Sequence, residues 1–161
     1  MTPPNVAIYD WIRKGLDFKG RSSRSDYWWP RLLVVTVNLV LMFLFFTGLG
    51  AEKSQILLEW LTAGTRSLED LDIGPLPSLS LFALIFAIVF GVLTFIPDLS
   101  VSWRRFHDMD KPGWFHLVFF GLSGFIMLAP IVEYVWLSFP GTAGDNRYGS
   151  DPRSLWDDPG P

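Results

Sequence analysis

Three uncharged apolar stretches, residues 32–51, 73–97 and 112–132, constrain this chain more than any other feature. A bilayer hydrocarbon core of about 30 Å takes about 20 helical residues at about 1.5 Å each, and every stretch reaches that length. Half of the residues are hydrophobic and the mean hydropathy is +0.30. The expected fold is therefore an all-α integral membrane protein. Three transmembrane helices, at about residues 32–50, 77–97 and 113–137, are joined by a short N-terminal interfacial amphipathic helix.

The chain then divides into a head (1–31), a transmembrane bundle (32–137) and a Gly/Pro/Asp-rich tail (138–161), none of whose polar pieces is large enough for a soluble core of its own. Cysteine is absent, which excludes disulfides and thiolate metal sites. No short apolar core followed by a small-x-small site precedes the first span, so that span is expected to stay as an anchor.

Orientation follows from the 13 Lys and Arg residues. Six lie in residues 1–31 and three in 97–111, against two in 49–72 and two in 138–161. The positive-inside rule places the head and second loop in the cytoplasm, and a single third span would carry the tail outside. Trp28, Trp29, Trp103, Trp114, Tyr134 and Trp136 fall near the span ends, where aromatic belts form. Pro130 and Glu133 fall late in the third stretch. A kinked single span is the simpler reading, and a re-entrant hairpin turning near residues 121–124 is the other.

Residues 6–17 have helical periodicity. Ile8, Tyr9, Trp11, Ile12 and Leu16 share one half of the wheel, and Asp10, Arg13, Lys14 and Asp17 the other. Such a helix lies in the headgroup plane or packs its apolar face on the protein's own spans. Pro97 is expected to end or kink the second span, and a short amphipathic turn is expected around residues 56–61.

Two polar motifs stand out: Arg21-x-x-Arg24-x-Asp26 before the first span, and Arg104-Arg105-Phe106-His107-Asp108 after the second. Both fall at one membrane face in this topology. Arginine forks bind carboxylates or phosphates bidentately. The four arginines either tie the loops together through Asp26 and Asp108 or hold an anionic headgroup. The pairs expected are Arg21 or Arg24 with Asp108, and Arg104 or Arg105 with Asp26. His107 beside Asp108 is a candidate base, although neighbours on a helix seldom face each other. His107 and His116 are too few for a histidine-rich metal site, and no hydrolase, zinc-protease or phosphate-loop motif occurs. Neither metal nor cofactor is expected. His116 and Glu133 are separated by about 25 Å along a continuous helix, so they are not expected to form one site.

In the tail, Asn146 and Asp151 are set among Gly141, Gly144, Gly149 and Pro152. That composition predicts an ordered turn closed by Asn146, with Arg147 reaching a carboxylate or headgroup and the chain beyond Pro152 flexible.

These motifs together resemble one known family. Phe18-Lys19-Gly20-Arg21-Ser22-Ser23-Arg24-Ser25-Asp26-Tyr27-Trp28-Trp29 is similar to the F-x-G-R-x-x-R-x-E-Y-W opening of domain-of-unknown-function family 805, small bacterial inner-membrane proteins. Arg104–Asp108 followed by Gly113-Trp114 resembles its R-R-L-H-D…S-G-W-W block, and residues 141–152 its closing G-x-x-G-x-N-x-x-G-x-D-P block. Asp26 stands for the usual Glu, Phe106 for Leu, Pro112 for Ser and Phe115 for the second Trp, and the first loop is longer and more acidic. The resemblance implies fold and location in the bacterial cytoplasmic membrane, and no activity.

The function expected is a non-catalytic, multi-pass membrane protein. Its Arg-rich cytoplasmic face, with Arg21, Arg24, Asp26, Arg104, Arg105, His107, Asp108 and Asn146, binds anionic lipid headgroups or a partner protein, a second copy included. Nucleic acid is not an expected partner. The alternatives are a small transporter or channel-like subunit using Glu133, and an enzyme acting on a lipid phosphate with His107 as base.

Overall fold

The computed structural model describes residues 1–63, 71, 74–126 and 128–154. These form six helices and no strand: α1 (Pro4–Arg13), α2 (Arg24–Leu49), α3 (Ala51–Ala63), α4 (Ser78–Asp108), α5 (Phe115–Ser123) and α6 (Ala129–Ser138). α2 has 26 residues and α4 has 31, with apolar windows of mean hydropathy 2.5 and 2.8. At about 1.5 Å per residue both exceed the ~30 Å hydrocarbon core. Only 17% of each window is buried within the protein. A soluble core helix of such hydropathy would be covered by its neighbours, so the two helices are candidate membrane spans.

The third apolar stretch departs from the expected single span. It forms two helices of nine and ten residues, α5 and α6. At about 14 and 15 Å neither crosses a bilayer. Gly124 follows the last turn of α5, and Pro130 occupies the first turn of α6, where its missing N–H has no helical partner to lose. The two helices fold back on each other. Trp136 of α6 meets Phe115 and Phe119 of α5 edge-on at 5.6 and 5.8 Å, and Phe106 of α4 at 5.8 Å. Trp136 is thus a packing residue of the hairpin rather than a belt residue.

Three smaller differences follow from local chemistry. α4 runs through Pro97 without a break to Asp108, although the proline has no N–H to donate to the carbonyl one turn back. The amphipathic turn expected at 56–61 is the 13-residue helix α3, set off from α2 by Gly50 at φ +81°. α1 begins earlier than predicted, with Pro4 in its first turn. It ends at Arg13 and buries Ala7 and Trp11 while Tyr9 and Ile12 stay exposed, so only one edge of the apolar face packs on the protein.

The chain divides into two units, Met1–Leu33 with Leu93–Pro161, and Val34–Val92. In the second, Ser80 Oγ donates to Phe45 O at 2.9 Å, joining α4 to α2. In the first, the Trp11 indole N–H donates to Asp98 Oδ1 at 3.1 Å, and the Ser22 amide donates to Arg104 O at 3.1 Å. Together these dock the head on the C-terminal half of α4.

Candidate functional site

The three sequence motifs meet around one carboxylate, Asp108, at the last residue of α4. Its Oδ1 accepts from Arg21 Nε at 3.0 Å and Arg21 Nη2 at 2.9 Å, while its Oδ2 accepts from Arg105 Nη1. The side chains of Arg21, Arg105 and Asp108 are 1%, 0% and 4% exposed. Burying charges is costly unless every donor and acceptor is met, and the remaining donors here are met by carbonyls. Arg105 Nε donates to Leu137 O at 3.0 Å and its Nη2 to Phe139 O, which places a cation at the C-terminal end of α6 where unpaired carbonyls collect. Arg21 donates to Gly144 O at 2.6 Å and Thr142 O at 2.7 Å.

The tail completes the enclosure. The Thr142 amide and hydroxyl both donate to the Asp108 carbonyl, at 2.8 and 3.0 Å. A Cβ on Gly141 would lie 1.9 Å from Asp108 Oδ2, so only glycine lets the chain pass this close. Asn146 Nδ2 donates to His107 O and Thr142 Oγ1, both at 2.9 Å, and its Oδ1 accepts from the Tyr148 amide at 2.9 Å. Asn146 and Gly149 exchange two backbone hydrogen bonds of 3.0 Å. Arg147 pairs with Asp110 at 3.1 Å. The ordered stretch extends past Pro152, since Arg153 grips Asp151 at 2.6 and 2.8 Å and Thr142 O at 2.8 Å. Those Arg153 side-chain hydrogen bonds, with the Arg153 and Gly144 amides, hold the Asp151 carboxyl well below the usual carboxylate range. Residues 155–161, the rest of the segment expected to be flexible, lie outside the described residues.

His107 Nδ1 is 3.0 Å from Gly20 O, and a carbonyl only accepts, so Nδ1 carries the proton. The ring stacks on Tyr148 with centroids 3.8 Å apart and planes 5° from parallel.

Asp26 takes a different place from the one expected. Its Oδ2 accepts from the Ser23 amide at 2.8 Å while the Ser23 hydroxyl accepts from the Asp26 amide at 3.3 Å, a reciprocal cap on α2. Neither Arg104 nor Arg105 forms an ion pair with it. Arg104 has one long bond, to Ser100 O at 3.4 Å, and borders a cavity of about 30 Å³ with Asp10, Lys14 and Asp26. Arg24 is exposed and makes no hydrogen bond or ion pair among the described residues. It lines a cavity of about 170 Å³ with Thr2, Ser23, Ser25 and Arg153, and a shallower one with Trp28, Trp29 and Ser138.

A second polar cluster escapes the sequence motifs. Arg31 Nη1 donates to Asp98 Oδ2 at 3.1 Å, and its guanidinium lies 5.4 and 5.8 Å from the Tyr27 and Tyr134 ring centres. His116 Nδ1 and Glu133 Oε1 are 2.5 Å apart, which overturns the expectation that they cannot meet; the 25 Å separation held only for a continuous helix. The available signal was the charge of Arg31 and Asp98 next to Pro30 and Pro97, inside helices that those prolines do not end.

Two long apolar helices with a polar cap of this composition define a small helical membrane protein. The chain belongs to the family described as protein of unknown function (DUF805), which matches residues 15–150. It is 32% identical over 148 residues to inner membrane protein YhaH of Escherichia coli (strain K12), covering 89% of this chain and 97% of that one. It is 29% identical over 143 residues to inner membrane protein YhaI of the same strain, covering 88% and 91%. No solved structure matches.

Proposed function

We propose that this is a multi-pass cytoplasmic-membrane protein, non-catalytic, whose head lies in the cytoplasm and whose arginine-bearing face binds anionic lipid headgroups. The observation that carries the reading is the division of labour among the arginines. Arg21 and Arg105 are consumed by Asp108 and by carbonyls, whereas Arg24 is exposed and unpaired beside Thr2, Ser23 and Ser25. Trp28 and Trp29 flank it one turn further along α2. A cation and hydroxyls next to interfacial indoles suit a phosphate at the membrane surface.

Charge supports the orientation. The tail packs with the head and the end of α4, so it belongs on their side and not the opposite one expected from a single third span. Eleven of the 13 Lys and Arg residues then lie on that side, and the other two, Lys53 and Arg66, are between the spans. Catalysis has less to recommend it. His107 is covered by Tyr148, and the arginines beside it point at Asp108 instead of into a cleft. For transport through Glu133, His116 already occupies the carboxylate, and none of the cavities above borders it.

Native mass spectrometry of protein released from nanodiscs tests the headgroup site. Wild type is expected to retain phosphatidylglycerol over phosphatidylcholine, and Arg24→Gln to lower that retention about fivefold, the equivalent of about 1 kcal/mol for one basic residue near an anionic surface. Equal retention by wild type and Arg24→Gln removes lipid from the reading and leaves a protein partner for this face.

A further inference from the structure

Within the Val34–Val92 unit, Asn38 carries a carboxamide that its described surroundings satisfy only in part. Asn38 lies on α2, six residues after Leu32, where the apolar stretch begins, and eleven before Leu49, where the helix ends. At about 1.5 Å per residue it is about 9 Å from one end of that stretch and about 16 Å from the other, well inside the hydrocarbon of a spanning helix. Its Nδ2 donates to Val34 O at 2.8 Å. That carbonyl is also the helical acceptor one turn back, so this contact uses one of the two amide N–H groups and none of the capacity of Oδ1. No other hydrogen bond reaches Asn38 among the described residues, and the residue is exposed on the protein's surface.

Asn38 opens onto a groove of about 330 Å³ between the two long helices, with Leu41, Met42 and Phe45 on one wall and Ala83, Leu84 and Ala87 on the other. Apart from Asn38 that lining is apolar. An acyl chain could fill the space but has nothing to offer a carboxamide, and hydrocarbon contains no water to take its place.

We propose that this groove is a self-association surface, in which a second copy of the chain lays its own Asn38 against this one. A carboxamide carries donor and acceptor together, so two copies satisfy each other reciprocally. In a two-fold interface the residue that pairs with itself lies beside the axis, which is where Asn38 has to be. Ala83 and Ala87, one turn apart on α4, keep the groove wall low enough for a helix to approach, and amides of this kind hydrogen-bond across helices in membranes.

The experiment is Förster transfer between donor- and acceptor-labelled full-length protein in liposomes, followed as lipid dilutes the protein. Wild type is expected to associate, Asn38→Leu to dissociate at about threefold to tenfold higher protein-to-lipid ratio, and Asn38→Gln to recover most of the loss. Because the natural chain has no cysteine, single cysteines give an independent readout that does not rest on the Asn38 variants folding. Met42→Cys is expected to cross-link between copies, and Phe125→Cys, 91% exposed on the α5–α6 connection, is expected not to. Wild type that stays monomeric at every dilution overturns the proposal, as does Asn38→Leu associating like wild type. A lipid that copurifies with monomeric wild type but not with Asn38→Leu also overturns it, and assigns the groove to that lipid.

Discussion

Replacing Asp108 by Ala is expected to destabilise the folded protein by about 3–5 kcal/mol, the cost of leaving buried charge without its partner. Asp108 is the counter-ion of both Arg21 and Arg105, whose side chains are 1% and 0% exposed. Neither guanidinium can turn to water without giving up its carbonyl partners, Gly144 and Thr142 for the one and Leu137 and Phe139 for the other. Asp108→Asn keeps the shape and one good acceptor, so its loss is expected to be smaller but in the same direction. Thermal unfolding in detergent, alongside the yield of membrane-inserted protein, measures both. An Asp108→Ala protein within about 0.5 kcal/mol of wild type, the ordinary range for an uninvolved surface position, would show that the centre is not structural.

Gly141→Ala is the second large effect, expected to cost about 2–3 kcal/mol through overpacking. The added methyl would lie 1.9 Å from Asp108 Oδ2 and 2.9 Å from Asp108 O. The first of these atoms cannot swing aside, because Arg105 holds that oxygen and Arg21 the other one. The strain is instead relieved by lifting the tail, which breaks the Thr142 and Asn146 bonds to the last turn of α4. Hydrogen exchange reads this directly: slow amides at residues 146–149 in wild type and fast ones in Gly141→Ala. Unchanged exchange would mean that the tail does not depend on this close passage.

That Arg21 or Arg24 meets Asp108 was legible in the sequence, because two arginine motifs at one face have few carboxylates to choose from; which of the two was not, and the structure has Arg21 there. Asp26 was misjudged for a local reason. The short loop of a Ser-x-x-Asp step at a helix start completes the backbone's own hydrogen bonds, and that local demand outweighs a distant guanidinium. Length and hydropathy also identified α2 and α4. They failed at residues 113–137 because the same apolar composition serves one long helix or two short ones side by side. Pro130 fits either, since a proline can kink a helix or begin one. What distinguishes them is the His116–Glu133 contact, 17 residues apart in sequence, which no periodicity encodes. Arg31 and Asp98 stayed hidden for a related reason: each falls just outside a span expected at 32–50 or 77–97, whereas both helices continue past it and half-bury the pair.

Folding the third stretch back on itself has one consequence above all: head, end of α4 and tail are joined by hydrogen bonds, and the proposed topology therefore puts both ends of the described chain on one side of the membrane. Single cysteines in the cysteine-free chain test this with a membrane-impermeant maleimide, applied to spheroplasts and to inverted vesicles. Lys19→Cys in the head and Ser150→Cys in the tail are expected to react only in inverted vesicles, and Glu52→Cys in α3 only in spheroplasts. Labelling of Ser150→Cys from the outside while Lys19→Cys remains protected would place the tail across the membrane from the head and contradict the account.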